Sequence, residues 1–222
     1  DEKDSLLVMR STCIESEARQ IAGSGCIATI GSRAACRVME KVADELDTTV
    51  KCHLKIDTGM GRYGFMPSEI SKAIECYKMP HLKFTGIYTH FSSAFRNAEL
   101  TKAQLAVFKD CITQIKNAGF ETGMAHCANS PALLNVDGVY MDAVSIGAAF
   151  TGILITKAKT PLHRLGRLEA EVVDVKTVPA GYAIGYNGLF KTKRETKIAS
   201  VPIGHYDGFG LEKERETADL HY

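Results

Sequence analysis

Charged side chains of opposite sign cluster in the glycine-rich segment HLKIDTGMGRYGF, residues 53–65, which is typical of a strand running into a turn. Under the two-residue repeat of a strand, His53, Lys55 and Asp57 point to one face. Strand ends of α/β barrels carry their chemistry, so Lys55 and Arg62 are catalytic candidates. An equally weighted alternative is an internal ion pair of Asp57 with Lys55 or Arg62 that only braces the turn.

Two other predicted strand ends present groups suited to an anion. Asn129 and Ser130 stand before a helix start, where a hydroxyl and backbone N–H groups are available, although a plain helix N-cap is the favoured interpretation of this site taken alone. After Ser145, Gly147 lets backbone amides approach a phosphate, and Ala148 follows it. Because α/β barrels bind phosphate at their last two strands, the coincidence of both sites favours phosphate binding.

Two further residues are weaker candidates. His90 lies near the end of a predicted strand, where a lone histidine is more often a satisfied core residue than a catalyst. Tyr186 lies in the turn-rich loop GYAIGYNG and is either a surface tyrosine or a base presented to another site. A tyrosine base needs its ordinary pKa of about 10 lowered by positive charge or hydrogen bonds. The sequence has no metal-ligand spacing, phosphate-binding Walker loop or nucleophile elbow.

Alternating strand and helix patterns must position these groups. Six strand segments, separated by helical periodicity, predict parallel strands with right-handed crossovers; they span residues 6–9, 26–30, 50–56, 84–91, 124–128 and 143–147. Later segments alternate as strands without intervening helices. The fold class is therefore α/β, an incomplete (β/α)8 barrel of the TIM type with about six βα units at 1–160, followed by a partial β domain at 166–222.

Composition excludes several kinds of partner. The net charge of +1 gives no reason to expect nucleic acid or an anionic membrane surface. No apolar run reaches the roughly 20 residues of a membrane span, and no signal peptide opens the chain. The seven cysteines are an odd number without C-x-x-C spacing, which favours reduced core thiols and a cytoplasmic location.

Six ordered motifs together resemble the alanine racemase family, the fold-type III enzymes that use pyridoxal 5′-phosphate. They are HLKIDTGMGRYGF, GIYTHFSSA, HCANSPALL, DAVSIGAAFTG, PAGYAIGYNGLF and VPIGHYDGF. The resemblance covers nearly all of the chain. It implies an eight-stranded barrel followed by a β domain, in a homodimer in which each β domain caps the partner's barrel.

The resemblance also implies roles for individual residues. Tyr186 resembles the catalytic tyrosine that reaches into the partner's site, and His90 resembles the histidine that hydrogen-bonds that tyrosine. Lys55 resembles a lysine that is carbamylated in some members, and Arg62 would then meet the substrate carboxylate. The cofactor-binding residues implied are His126, Asn129, Ser130, Ser145, Gly147 and Ala148.

Three departures from the family pattern matter. The lysine that holds the cofactor as a Schiff base belongs to a K-A-N-A-Y-G type of motif, which this sequence lacks. The matched β domain is short. Ser145 stands where the family usually has an arginine that contacts the cofactor's pyridine nitrogen, and His205 stands where tyrosine is common. The chain is therefore expected to be an internal fragment, inactive alone.

The function expected from the resemblance is interconversion of L- and D-alanine by a two-base mechanism, with lysine and tyrosine on opposite faces of the substrate, to supply D-alanine for peptidoglycan. Two alternatives stay open. One is a serine racemase of a glycopeptide-resistance type with an upstream membrane module. The other is a degenerate paralogue that binds the cofactor without racemising, which Ser145 motivates.

Overall fold

A computed structural model describes residues 6–152 and 162–208. The chain divides into a unit spanning residues 1–165 and a unit spanning 166–222, and each is described separately below. Residues 209–222, the end of the predicted β domain, lie outside the described residues.

The first unit is built on one five-stranded parallel sheet in which every strand pairs with the one before it in the chain. Its strands are β1 (Ala28–Ile30), β2 (Val50–Lys55), β3 (Leu82–Tyr88), β4 (Met124–Asn129) and β5 (Ala143–Ser145). The predicted α/β class is confirmed by this parallel arrangement with helical crossovers. The predicted strand at 6–9 is reduced to a single parallel bridge between Leu7 and Ile27.

Helices follow the strands and begin where the sequence supplies capping groups. Residues 6–152 of the first unit contain six: α1 (Glu15–Ser24), α2 (Arg33–Glu45), α3 (Ile70–Cys76), α4 (Ala98–Asn117), α5 (Ser130–Asn135) and α6 (Ala148–Thr151). Ser32, a residue type that favours helix N-caps, caps α2, and its hydroxyl accepts a hydrogen bond from the Ala35 N–H at 3.1 Å. Pro67 opens a short 3₁₀ turn before α3, a position that suits its missing N–H.

Apolar side chains of the sheet and the helices form one continuous core. Leu54 and Ile87 of neighbouring strands are fully buried, as are Val42 of α2 and both Phe108 and Ile115 of α4. Both faces of the central strands are thus withdrawn from water, which is usual for parallel sheets. The core fixes the strands, and the strands fix the side chains at their carboxyl ends.

Among the described residues, the Tyr77 hydroxyl is the one buried side-chain polar atom without a hydrogen-bond partner. The Tyr77 ring stacks on Phe84 at 4.4 Å between centroids. We expect Tyr77→Phe to raise the free energy of unfolding by about 1 kcal/mol, because an unmade buried hydrogen bond costs energy. Denaturant titration measures this change. Tyr88→Phe is the control with the opposite sign, since the Tyr88 hydroxyl is bonded.

The second unit contains only β structure and short 3₁₀ turns in its described part. Strand β6 (Asp174–Val178) pairs antiparallel with β9 (Thr196–Ser200), and the two-residue strands β7 (Ala183–Ile184) and β8 (Phe190–Lys191) form a hairpin. Within the predicted β domain at 166–222, the first described strand begins at Asp174. A 3₁₀ turn over Tyr186–Gly188 forms the tip of the hairpin.

Candidate active site

Ser130 organises a cradle of backbone amides at the ends of β4 and β5. Its buried hydroxyl accepts hydrogen bonds from the N–H groups of Gly147 at 2.9 Å and Ala149 at 3.2 Å. These two hydrogen bonds fix the Ser130 hydroxyl within the loop, and the predicted role of Ala148 in binding a phosphate stays a prediction. A side chain added at Gly147 would meet open space, so the loop leaves room for a ligand beside these amides.

Asn129 fixes the start of α5 next to this cradle. Its carbonyl oxygen caps the helix by accepting from the Ala132 N–H at 3.1 Å. Its amide nitrogen donates to the Phe91 carbonyl at 3.0 Å and lies 3.3 Å from His90 Nε2. Asn129 thus serves as the plain N-cap that the sequence allowed, and it also orients His90.

His126 is the centre of a hydrogen-bonded row that crosses three strands. Its Nε2 lies 3.1 Å from Nδ1 of His53, and its Nδ1 lies 3.2 Å from the Ser145 hydroxyl. Its ring stacks on Tyr88 with centroids 4.7 Å apart and an interplanar angle of 4°. The structure therefore brings together two residues implied by the resemblance, His126 and Ser145.

The row is electrically neutral at physiological pH. Burial, together with the charges on His53 and Lys55, lowers the pKa of His126 to about 4. Burial also lowers the pKa of His53, and burial with Lys55 and Arg62 lowers that of His90. Ser145 therefore meets an uncharged imidazole, so no described group of this row contributes a cation to the site.

Asp57 braces the glycine-rich turn, but through the backbone and not through an ion pair. Its buried carboxylate accepts hydrogen bonds from four consecutive backbone N–H groups, those of residues 59–62, at 2.8–3.2 Å. Neither of the ion pairs considered from the sequence is present among the described residues. Burial alone would raise the pKa of Asp57, but these four donors hold it below its ordinary value.

Arg62 is left at the surface by this arrangement. Its backbone is held by Asp57, while its guanidinium is exposed and lies 5.2 Å from the centroid of the Tyr63 ring. A guanidinium with fixed backbone and open donors can meet a planar carboxylate in a bidentate fashion.

Lys55 is 1% exposed, an unusual burial for a lysine. Its Nζ donates to the Ile56 carbonyl at 3.4 Å and lies 5.0 Å from the centroid of the Tyr88 ring. Burial lowers its pKa to about 8, opposed by Asp57 and assisted by Arg62. About a tenth of this amine is therefore neutral and nucleophilic at pH 7.

We expect Lys55→Met to raise the free energy of unfolding by about 3 kcal/mol at pH 7, because the variant keeps the aliphatic stem and removes a buried charge. The folded pKa lies below the unfolded value, so the wild type regains stability as pH rises from about 8 to roughly 10.4. The advantage of the variant should shrink over that window, as urea titrations at several pH values would report.

The exposed strand residue Lys83 provides the matched control. Lys83→Met should change stability little at any pH. If both variants behave alike, or if the effect of Lys55→Met is independent of pH, the buried-charge explanation is wrong.

A cavity of about 680 Å³ opens in the first unit beside these residues. Its polar lining comes from His53, His90, His126 and Ser145, and its apolar lining includes Ile146. Gly147 of the amide cradle also lines it. The cavity therefore places Gly147 of the amide cradle next to the uncharged side chains of His53, His126 and Ser145. This combination suits a flat, anionic small molecule.

Tyr186 lies in the second unit at the tip of the β7–β8 hairpin. Its side chain is 96% exposed and makes no hydrogen bond to any residue in the described ranges. His90, which the resemblance pairs with such a tyrosine, lies in the first unit.

Two family models match the chain in order. The description "Alanine racemase, N-terminal domain" matches residues 2–154, and "Alanine racemase, C-terminal domain" matches residues 165–218. The chain belongs to the alanine racemase family. The membership expected from the motifs is thereby confirmed.

Curated alanine racemases are similar to the chain but longer. It is 33% identical over 190 residues to one from Clostridium novyi, with 82% of this chain and 49% of the relative covered. It is 31% identical over 188 residues to one from Methanococcus maripaludis, at 82% and 50% coverage. The chain thus spans about half the length of the racemases it matches.

Solved structures of alanine racemases share the fold. The enzyme from Bacillus anthracis with bound L-Ala-P superposes with a TM-score of 0.78 at 28% identity, covering 91% of this chain and 54% of that one. The enzyme from Bartonella henselae with covalently bound pyridoxal phosphate gives 0.73 at 25% identity, covering 92% and 56%. The predicted partial barrel with a β domain is confirmed by these likenesses.

The residues present fit the phosphate and ring ends of pyridoxal phosphate. The Ser130 cradle opens onto free space at Gly147, and the neutral His126–Ser145 pair faces the adjoining cavity. Pyridoxal phosphate is held covalently through a lysine, and the sequence lacks the K-A-N-A-Y-G type of motif to which that lysine belongs in the family. Lys55 is the buried lysine of the described ranges, but it lies outside such a motif.

Other kinds of site find no support in the described part of the chain. Within residues 6–152 and 162–208, no cluster of three metal-ligating side chains is arranged to hold an ion. In the same ranges, no helix has both the length and the apolar character needed to cross a bilayer.

Sequence reasoning missed two members of the site. The Tyr88 ring stacks on His126 and lies beside Lys55. Tyr88 and His90 are two residues apart, so the two-residue repeat of a strand could have placed both side chains on one face. His53 was placed on the face of Lys55, but its bond to His126 joins residues 73 positions apart. No local pattern reports such a contact.

Proposed function

We propose that this chain forms the central part of a pyridoxal-phosphate-dependent racemase that interconverts L- and D-alanine. The observation that carries the proposal is the amide cradle on Ser130, which opens into the same cavity as the His126–Ser145 pair. The cofactor, when bound, would supply an electron sink for the charge that develops on the substrate α-carbon.

Ser130 would donate its hydroxyl hydrogen to a phosphate oxygen of the cofactor, because its oxygen already accepts from the Gly147 and Ala149 N–H groups. The backbone N–H of Ala148 in the same loop would be a second donor to the phosphate. Ser145, supported by His126, would meet the ring with a hydroxyl in place of a cation. His53 keeps His126 in a fixed tautomer by occupying its other ring nitrogen. These contacts orient the group and exclude water from its face.

Arg62 would bind the substrate carboxylate, because Asp57 fixes its backbone and leaves the guanidinium open. A carbamate on Lys55 would place a negative charge in the neighbourhood of Arg62, and the pKa of about 8 leaves the neutral amine that carbon dioxide requires. Labelled bicarbonate and carbon NMR on the protein and on Lys55→Met would test this modification.

Tyr186 would transfer the α-proton at one face of the substrate. Its full exposure at a hairpin tip supports presentation to a second subunit, in a homodimer whose sites are shared. A lysine outside this sequence would serve the other face, so the 222-residue chain alone is expected to be inactive. We place the protein in the cytoplasm, supplying D-alanine for peptidoglycan.

The decisive experiment incubates the full-length protein with pyridoxal phosphate and L-alanine and measures D-alanine, with L-serine assayed in parallel. Faster turnover of alanine supports the proposal, whereas preference for serine favours a serine racemase. Turnover of L-alanine at comparable rates by the 222-residue chain would refute the need for an additional lysine.

Ser145 favours a second candidate, a paralogue that binds the cofactor without racemising. Full-length protein that shows the cofactor's visible absorbance but no turnover would support it. If the full-length protein racemises alanine and Ser145→Arg changes the rate little, this candidate is wrong.

A further inference from the structure

The hairpin that carries Tyr186 is short and has little support of its own. Only two residues of each strand pair, and the tip contains three residues with positive φ, namely Gly185, Asn187 and Gly188. Tyr186 and Leu189 at the tip are 96% and 88% exposed. Isolated two-stranded hairpins are marginally stable in water, so the tip depends on what holds its base.

Thr192 holds that base. Its hydroxyl donates to the Pro179 carbonyl at 2.6 Å and accepts from the Tyr182 N–H at 2.9 Å. Its backbone N–H donates to the Tyr182 carbonyl at 3.0 Å, and its own carbonyl accepts from the Gly181 N–H at 2.6 Å. One residue thus joins the incoming turn to the outgoing strand by four hydrogen bonds.

Thr192 is also buried where its surroundings are not. It is 4% exposed, although Phe190 two residues before it is 60% exposed and the tip is open. A buried hydroxyl with both its donor and its acceptor used is a fixed point in the backbone. Removing it would leave the Pro179 carbonyl and the Tyr182 N–H without their partner.

We propose that Thr192 is a positioning residue for Tyr186, acting by clamping the base of the hairpin that presents the tyrosine. This inference rests on the proposed function, because it matters for catalysis only if Tyr186 transfers the α-proton. Thr192 acts through its hydrogen bonds to Pro179 and Tyr182, without contact to substrate or cofactor. Its hydroxyl sets the direction of the hairpin, and hence the position of the phenol oxygen at the tip.

Thr192→Val tests the proposal because it keeps a β-branched side chain of nearly equal size and removes only the hydroxyl. We expect kcat of the full-length racemase to fall roughly 10- to 100-fold with little change in KM, since misplacement of a reacting group by about an ångström costs that much. Thr192→Ser restores the hydroxyl and should return most of the activity.

The isotope effect separates positioning from general damage. When Tyr186 is displaced, removal of the α-hydrogen at its face becomes more rate-limiting, so the α-deuterium effect should rise for one enantiomer and fall for the other. Thr196→Val is the matched control. Thr196 begins the neighbouring strand β9, and its hydroxyl donates only to the carbonyl of Arg194, two residues before it. Thermal unfolding and cofactor absorbance of each variant verify folding.

Three results would each overturn the inference while the racemase function stands. The first is Thr192→Val behaving like Thr196→Val, and the second is Thr192→Ser being as slow as Thr192→Val. The third is isotope effects that are unchanged for both enantiomers, which would show a structural role only. If the wild-type full-length protein does not racemise alanine, the proposed function fails and this inference fails with it.

Discussion

Replacing Tyr186 with phenylalanine is expected to slow alanine racemisation by about 10²–10⁴-fold, the usual contribution of a positioned acid–base group. The phenol stands at an exposed hairpin tip with no competing hydrogen bond among the described residues, so the hydroxyl is available to a substrate. Because the two directions share one equilibrium constant, both should slow. Measurement of D-alanine formed from L-alanine, and of the reverse, checks this.

Tyr206→Phe is the matched control for that experiment. Tyr206 is also fully exposed in the second unit, so its substitution should leave the rate nearly unchanged. Cofactor absorbance should be the same in both variants, since Tyr186 is given no part in holding the cofactor. Retention of full activity by Tyr186→Phe would remove this tyrosine from the mechanism.

The largest loss of stability is expected at Asp57. Asp57→Ala leaves four backbone N–H groups without an acceptor, and we expect it to lower the free energy of unfolding by about 3 kcal/mol at pH 7. The turn that holds Arg62 should loosen at the same time. Urea titration measures the first effect, and faster hydrogen exchange at Gly59 and Gly61 reports the second.

The acid dependence should change in the same variant. The folded pKa of Asp57 lies below the unfolded value, so its stabilisation is complete above roughly pH 4 and is lost as pH falls through the folded pKa. Asp57→Ala should lack this loss. Asp142→Ala, which removes an acceptor used by the single N–H of Ala125, should cost only about 1 kcal/mol. Equal costs at the two positions would contradict this explanation.

Local features of the fold followed from the sequence where one residue type decides them. The Ser32 cap and the end of α4 near Gly119, whose φ is 88°, are of this kind. The sequence shows glycines at 59, 61 and 64, but it does not show what their positive φ does to the turn. That conformation turns consecutive N–H groups toward the Asp57 carboxylate. An ion pair was one of two equally weighted expectations for this segment, but Asp57 accepts backbone hydrogen bonds instead.

Contacts across strands were beyond local reasoning. In a buried parallel sheet the strands are almost uniformly apolar, so alternation does not fix their register. The register shifts between Cys52 and His53, and again between His126 and Ala128. Each irregularity lies beside a histidine of the His53–His126 pair, so a regular two-residue repeat could not have placed the two rings against each other. The residue types could therefore identify His126 and Ser145 as candidate site residues, but they could not predict the hydrogen bond between the two.

The order of the strands also carries a consequence for how the chain acquires its site. Each of the five strands pairs with its predecessor, so βα units can be added one after another during synthesis, with short loops to close at each step. The amide cradle joins Ser130, after β4, to Gly147, after β5. Affinity for a phosphate should therefore be among the last properties of this sheet to appear, so a growing chain would meet the cofactor only when the core behind it is already in place.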